Sequence, residues 1–322
     1  MEVAPHVTPV AGSGPHSPGP FSRAQRIAIF MALACVPAWS LAAVLSLRGI
    51  AWSDPAARVI PVVYGFTPAF AALLTKLAIF RERRPEDLGL MVRADRWLAL
   101  AWVLAPVTLL LAVGAAWCMP GAELKTAPAD FWEFYRTRVP DSAREAFEAE
   151  VRTSLASGTH PALRFVLAGL VGGVLPGALL KLGTELGWRG FIHSELADLR
   201  EAPRAAITGA LTVLWIAPLA LQGYFFAVPS AAAAAALGAA LFAQAFVLER
   251  IRTLTGAVVG TALFLGVVDA VGPITTILVP SRDPWVSSVY GFAGAVALSA
   301  VAALLWVIRP APRIRSAASE DA

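Results

Sequence analysis

The sequence has few charged residues. Asp, Glu, Lys and Arg make up 15% of its 322 residues, against about 25% in soluble domains. Hydrophobic residues account for 57%, and the mean hydropathy is +0.67. A chain with so little polar surface cannot cover its own apolar core in water. The deficit excludes a soluble enzyme, a disordered protein and a nucleic-acid-binding protein.

Cysteine and the common catalytic motifs are also scarce. The two cysteines, Cys35 and Cys118, lie in apolar runs, which excludes a disulfide framework. The sequence has no HExxH, GxSxG, Walker or dinucleotide-binding motif. The four histidines lie outside the apolar runs or at their ends, and no pair has zinc-ligand spacing. No metal site is therefore predicted.

What the sequence does have is long apolar runs. Eight of them lie close to the ~20 residues that a helix needs to cross a bilayer, and lipid forces such segments to be helical. They are residues 27–47, 59–80, 97–118, 162–183, 205–226, 231–248, 254–279 and 289–308. The predicted fold class is an all-α, polytopic integral membrane protein with about eight transmembrane helices.

The arginines predict an orientation. With the N-terminus in the cytoplasm, fourteen arginines fall in inside segments, whereas the short outside loops hold Arg48, Arg58 and Arg282. We therefore expect a multi-pass cell-membrane protein with both termini cytoplasmic. This topology explains the net charge of +4, so the lipid bilayer is the expected partner and no nucleic acid is needed. Only three basic residues are lysines, a bias typical of a GC-rich bacterial genome.

The chain divides into five predicted regions. Residues 1–22 are rich in Pro, Gly and Ser, which predicts a disordered cytoplasmic tail. The other regions are three N-terminal transmembrane helices (23–118), an external loop (119–160), a second membrane domain (161–309) and a cytoplasmic tail (310–322).

The external loop is predicted to hold one short amphipathic helix. Ser142-x-x-Glu145 matches a capping box. A stripe of apolar residues at four-residue spacing follows, and Phe131, Trp132, Phe134 and Tyr135 precede it, as is typical at the headgroup level. A helix on the outer membrane surface is the favoured interpretation, and a substrate-gripping lid is the alternative.

Four charged residues in or beside the apolar runs stand out, because charge inside a membrane usually faces a bundle interior. Lys76 is close enough to the inner face to snorkel. Glu185 and Arg189 have the favoured i, i+4 order of a structural ion pair. Asp269 is expected either to be protonated or to reach Arg189. A catalytic or binding part for Glu185 and Arg189 is the alternative.

Three segments resemble a known family. Residues 183–191 read GTELGWRGF and resemble the Glu-Glu-x-x-x-Arg motif of the CPBP family, the CAAX-protease and bacteriocin-processing (Abi) intramembrane metalloproteases. Residues 214–218 (LWIAP) resemble its Trp-His-x-Pro motif. Thr255-Gly256 and the run to Asp269 resemble its third motif, a Thr-Gly lead-in followed by His-x-x-x-Asn. The resemblance covers residues 160–272, about a third of the chain, and implies a CPBP-like membrane domain.

The sequence departs from the family pattern at the residues that carry the chemistry. The family's first Glu, its two His and its Asn correspond to Thr184, Ile216, Leu265 and Asp269, while Glu185 and Arg189 are kept. Threonine cannot act as a base near neutral pH, and isoleucine and leucine offer no lone pair. No intact catalytic set and no cofactor are therefore expected.

The resemblance and its departures together predict a function. We expect a pseudoprotease that binds a membrane peptide, a lipid or a prenylated partner without cleaving it. The four substituted positions should converge on one cavity open toward the cytoplasmic half. One alternative is an active CAAX-type metalloendopeptidase with zinc or another divalent metal near Glu185 and Asp269. The second is a small-molecule transporter, although the two halves of the chain show no repeat.

Overall fold

The computed structural model of the chain describes residues 21–50, 60–82, 88–91 and 94–308. Within these residues the fold is all-α, without any strand, and the predicted fold class is confirmed. The predicted tail 310–322 and all but the last two residues of tail 1–22 lie outside the described residues.

Eight helical segments are long and apolar enough to cross a membrane, as predicted. We call them spans 1 to 8, and they are Arg23–Leu47, Ile60–Ile79, Arg96–Trp117, Pro161–Glu195, Glu201–Leu221, Ala231–Thr255, Val258–Leu278 and Pro284–Val307. A protein that crosses the bilayer several times is the architecture that these segments support.

The α-helices within and between the spans are numbered in chain order. They are α1 (Arg23–Leu47), α2 (Ile60–Leu73), α3 (Arg96–Trp117), α4 (Pro128–Arg136), α5 (Arg144–Ala156), α6 (Pro161–Gly172), α7 (Ala178–Glu185), α8 (His193–Glu195), α9 (Glu201–Leu221), α10 (Ala231–Thr255), α11 (Val258–Val271), α12 (Ile274–Leu278), α13 (Pro284–Ser287) and α14 (Phe292–Val307). Turns of π-helix occupy Leu74–Ile79, Gly173–Gly177 and Leu186–Ile192.

Local sequence sets several helix ends. Ser22 and Gln25 form a reciprocal capping box at the start of α1. The Asp95 side chain accepts hydrogen bonds from the Trp97 and Leu98 amides at 3.0 and 3.2 Å and so begins α3. At the C-terminal end of α10, Gly256 takes the left-handed conformation that glycine favours after a helix.

The spans alternate in direction and so create two ends of the bundle. At the basic end, Arg26 of span 1 pairs with Glu195 of span 4 at 2.7 Å and with Glu82, after span 2, at 2.9 Å. At the opposite end, which we call the loop end, the Lys125 amide donates to the Leu278 carbonyl at 2.7 Å. Spans 1, 3, 5 and 7 therefore begin at the basic end.

Span 4 is interrupted near its middle. The apolar run 162–183 predicted one helix, but α6 gives way at Gly173–Gly177 to a kink in which Leu175 is extended, with φ −143° and ψ 119°. Pro176 lacks an amide hydrogen and cannot continue the helical hydrogen bonding. Helix resumes at Ala178 and runs past the predicted boundary to Glu195.

Residues 119–160 contain two α-helices, α4 and α5, where one short helix was expected. The predicted capping box is wrong, because α5 begins at Arg144 with no side-chain cap and Ser142 lies in a 3-10 turn. The predicted aromatic cluster packs on span 4, where Phe131 is buried and its ring lies 5.9 Å from that of Phe165. Arg136 joins the two helices through Glu148 at 2.7 Å.

Candidate functional site

A cavity of about 120 Å³ lies inside the bundle, between spans 2, 4, 5, 6, 7 and 8. Its lining residues are Pro61, Tyr64, Gly65, Lys181, Thr184, Glu185, Trp188, Arg189, Thr212, Trp215, Ile216, Leu219, Tyr224, Phe225, Leu241, Gln244, Leu265 and Tyr290.

The lining reaches from the loop end of the bundle toward its basic end. Pro61 lies at the loop-end start of span 2, and Tyr224 and Phe225 lie in the connection after span 5. Trp188 and Arg189 lie toward the basic end, because span 4 ends at Glu195 and the Arg189 carbonyl accepts a hydrogen bond from Arg252 in the last turn of α10. The expected opening toward the cytoplasmic half stays a prediction.

Three of the four substituted positions line this one cavity. Thr184, Ile216 and Leu265 come from spans 4, 5 and 7. The Thr184 hydroxyl donates to the Lys181 carbonyl at 2.9 Å and is occupied there. Asp269 is not a lining residue, but it contacts two that are, Lys181 and Tyr290.

Glu185 and Arg189 form an ion pair in the wall of the cavity. Arg189 Nη1 lies 3.2 Å from Glu185 Oε1, and the two residues are 2% and 1% exposed. Neither Glu185 Oε2 nor Arg189 Nε has a hydrogen-bond partner among the described residues. Thr261 lies beside Glu185, and its hydroxyl is within hydrogen-bond distance of the Val258 carbonyl at 2.8 Å.

Asp269 does not reach Arg189, which was one of the two expectations for it, while its protonation stays a prediction. Its Oδ2 forms an ion pair with Lys181, and its Oδ1 accepts a hydrogen bond from the Tyr290 hydroxyl. Arg189, the expected partner, is held by Glu185. Two carboxylates and two cations therefore balance in and beside the cavity.

Sequence reasoning missed Lys181, although it lies in an apolar run. The available signal was its spacing, because positions 181, 185 and 189 repeat every four residues and so share one face of span 4. The kink at Gly173–Gly177 precedes these three charges, so they lie together on the second half of the span.

Aromatic rings form two walls of the cavity. On one side the Trp215 ring lies 4.8 Å from Tyr64 and 5.8 Å from Trp188. On the other side Phe225 lies 4.6 Å from Tyr224 and 5.4 Å from Tyr290.

Hydrogen bonds fix the first aromatic wall. The Tyr64 hydroxyl donates to the Trp215 carbonyl at 2.5 Å, and Trp215 Nε1 donates to the Thr67 hydroxyl at 3.1 Å.

At the loop end, burial raises the pKa of the Tyr224 side chain, so its hydroxyl stays protonated.

A second charged cluster lies nearer the basic end. Glu249 is 1% exposed, accepts a hydrogen bond from Arg204 Nε, and lies 2.9 Å from His193 Nδ1. Arg252 Nε donates to the Arg189 carbonyl at 3.0 Å. These contacts join spans 4, 5 and 6 close to the Glu185–Arg189 pair.

Lys76 does not snorkel as predicted. It is 3% exposed, and its Nζ lies 3.9 Å from Glu82 Oε2. Glu82 also binds Arg26, so Lys76 belongs to an ion cluster between the helices.

The chemistry open to the cavity is limited. Glu185 is the one carboxylate among the lining residues, it is paired, and no histidine is among them. Over the described part of the chain, no three His, Cys, Asp or Glu side chains come together as a candidate metal site. The arrangement suits binding, through ring faces, aliphatic surface and a few polar atoms.

No protein-family model and no curated protein matches the chain.

Proposed function

We propose that the chain is a CPBP-like integral membrane protein that has lost the protease centre. It binds a membrane peptide, a lipid or a prenylated partner in its intramembrane cavity without cleaving it. The observation that carries the proposal is that Thr184, Ile216 and Leu265, three positions where the family's catalytic side chains are replaced, line one cavity beside the Glu185–Arg189 pair.

The side chains around the cavity argue against hydrolysis. Peptide cleavage by water needs a metal-bound or base-activated nucleophile. The Thr184 hydroxyl is engaged by a backbone carbonyl, and Glu185 is held by Arg189. Ile216 and Leu265 supply apolar surface where the family has imidazoles, which favours binding an apolar group.

The proposal includes the membrane setting. The cavity lies within a bundle of eight apolar spans, so its ligand arrives from the bilayer or from one membrane face. We place both termini in the cytoplasm from the arginine distribution, which makes the loop end extracytoplasmic.

A cavity-filling variant tests the binding proposal. Ile216→Trp should fill the cavity and weaken binding of a farnesylated peptide to the purified protein in nanodiscs. Leu214→Trp is the matched control, because Leu214 lies on the same helix with 49% exposure and does not line the cavity. Equal affinities for the two variants and the unmodified protein would contradict a role for the cavity.

A cleavage assay tests the loss of the protease centre. The unmodified protein, incubated with the same farnesylated peptide and zinc, should release no fragment. Cleavage that Glu185→Gln abolishes would instead establish the active metalloendopeptidase. Substituting Thr184→Glu, Ile216→His, Leu265→His and Asp269→Asn together should create zinc binding that the unmodified protein lacks.

A transporter is the second candidate, and the interrupted span 4 favours it. Discontinuous helices commonly form substrate sites near the middle of transporters. Here the kink at Gly173–Gly177 directly precedes the charged turns at Lys181 and Glu185. Accumulation of a solute in proteoliposomes, lost in Ile216→Trp and kept in Leu214→Trp, would decide for transport.

A further inference from the structure

The imidazole ring of His160 joins two segments of the chain at the loop end. His160 is the N-cap residue of α6, and its Nδ1 accepts a hydrogen bond from the Ala162 amide at 3.2 Å. Its Nε2 lies 2.7 Å from the carbonyl oxygen of Thr126, which is 34 residues away in the sequence and shortly precedes α4. One side chain therefore caps the start of span 4 and also holds the segment before α4 against it.

These two contacts fix the protonation state of the ring. A backbone amide can only donate a hydrogen bond and a carbonyl can only accept one, so Nδ1 carries the lone pair and Nε2 carries the hydrogen. A proton added to Nδ1 would point at the N–H group of Ala162 and make that contact repulsive. Because the ring is rigid, a rotation that moves Nδ1 away from Ala162 also moves Nε2 away from Thr126. The neutral ring alone makes both contacts.

The surroundings of His160 favour the neutral ring. The N-terminus of a helix carries a partial positive charge, which opposes a cation at the cap. The charged groups on the segments around the ring are Arg164 of α6 and Glu150 of α5, which pair at 3.8 Å, Lys125 and Glu123, which pair at 2.9 Å, and Asp130 of α4. Asp130 interacts electrostatically with Lys125. These three carboxylates are thus engaged by cations other than a protonated His160.

Protons can reach the ring. His160 is partly exposed and lies directly before span 4 begins, outside the spans. Imidazole side chains commonly change charge between about pH 5 and 8. A change of pH on this side of the membrane therefore acts on the contact directly.

We propose that His160 is a pH-sensitive switch at the loop end. The neutral ring holds the segment before α4 against the start of span 4, and in mild acid the protonated ring releases both. The α4–α5 contact is separate, because it is made by Arg136 and Glu148. Under the proposed orientation, the pH that acts on the switch is the pH outside the cell. The inference goes beyond the proposed function and does not depend on what the cavity binds.

Hydrogen exchange of the Ala162 amide measures the state of the switch. In the full chain in nanodiscs, the protection of this amide, taken relative to its intrinsic exchange rate at each pH, should fall about fivefold from about pH 8 to about pH 5. His160→Asn is the matched variant, because asparagine caps helices well and does not titrate. Its Ala162 protection should stay constant over this range. A constant protection in the unmodified protein, or an equal fall in His160→Asn, would overturn the proposal.

A second variant separates this switch from carboxylates that titrate in acid. Glu148→Gln should keep the fall in Ala162 protection, since an ordinary glutamate takes up its proton near pH 4, below the range of imidazole. A fall that disappears in Glu148→Gln would assign the effect to the carboxylate and overturn the proposal.

Nitrogen NMR tests the ring in the unmodified protein. His160 is the one histidine that follows a threonine, so labelling threonine with ¹³C and histidine with ¹⁵N assigns its signals. At about pH 8 the hydrogen should be on Nε2, and both nitrogens should become protonated over the pH range in which Ala162 loses protection. A hydrogen on Nδ1 at about pH 8, or a ring that stays neutral at about pH 5, would contradict the switch.

Discussion

Lys181 pairs with Asp269 across the contact between spans 4 and 7, one helical turn before Glu185. Glu185 in turn pairs with Arg189 at 3.2 Å. Charge in and beside the cavity is thus organised as two neighbouring ion pairs. Breaking each pair should lower the stability of the fold by a different amount.

Removing Lys181 should destabilise the bundle moderately. Lys181→Met leaves Asp269 with the Tyr290 hydrogen bond alone, and the two side chains of the pair are 27% and 36% exposed. We expect a loss of about 2 kcal/mol, below that for a fully buried pair. Thermal unfolding in detergent measures it. Adding Asp269→Leu should recover most of the loss, and failure to recover would show that the pair is not the cause.

Removing Arg189 should cost more. Arg189→Leu strands the 1% exposed carboxylate of Glu185, and breaking such a buried pair costs about 3–5 kcal/mol. Glu185→Gln combined with Arg189→Leu should be more stable than Arg189→Leu alone. The yield of folded protein and its unfolding temperature report both effects. If Arg189→Leu were as stable as the unmodified protein, water would have to reach the carboxylate of Glu185.

The kink in span 4 should depend on Gly266. A Cβ at this position would lie 2.7 Å from the Gly177 carbonyl carbon, in direct conflict with the backbone. We expect Gly266→Ala to destabilise the protein by about 1–3 kcal/mol through overpacking. Gly172→Ala is the matched control, since a Cβ there meets nothing within 4 Å. Similar melting temperatures for the two variants would refute the close contact.

The contact between α4 and α5 should weaken in acid. The hydrogen bonds from Arg136 hold the pKa of Glu148 below its ordinary value. A carboxylate whose folded-state pKa is lowered stabilises the fold at pH values above its ordinary pKa of about 4, and this contribution is lost as the pH falls through the lowered pKa. The protection of α5 amides against hydrogen exchange, measured relative to their intrinsic exchange rate at each pH, should therefore fall in acid. Glu148→Gln should lower this protection at neutral pH and remove its pH dependence, whereas Glu145→Gln, on the same helix, should keep it.

Cysteine labelling tests the orientation. In a background without Cys35 and Cys118, Glu145→Cys should react with an impermeant reagent added outside intact cells, and Ala94→Cys should react only after permeabilisation. Both positions are exposed. Leu88 lies in the same connection as Ala94 but is 3% exposed, so a cysteine at this position would not react with the reagent. The reverse labelling pattern would invert the topology.

The sequence predicted the architecture because the bilayer imposes a length and a composition on every span. It did not predict the kink in span 4 in full. Pro176 and the neighbouring glycines were visible, but the break depends on the close approach of Gly266, which lies about ninety residues away in the sequence.

The candidate site was predicted only in outline, because part of it also depends on how distant helices pack. Motif spacing placed Thr184, Ile216 and Leu265 on different helices, and the fold brings them to one cavity. The partner of Asp269 was missed because pairing across helices depends on how spans 4 and 7 rotate against each other. The burial of His193 beside Glu249 depends likewise on three spans meeting.

The division of span 4 into an apolar half and a charged half has a consequence for how the protein is made. The segment before the kink, α6, is apolar apart from Arg164 near its start and favours insertion, whereas Lys181, Glu185 and Arg189 would each oppose insertion, by about 2.5–3.5 kcal/mol for the basic residues at the centre of a helix. Asp269, the partner of Lys181, emerges from the ribosome 88 residues later. We therefore expect the second half of span 4 to wait beside the insertion machinery until span 7 has been synthesised, so that integration of these two spans is one coupled event.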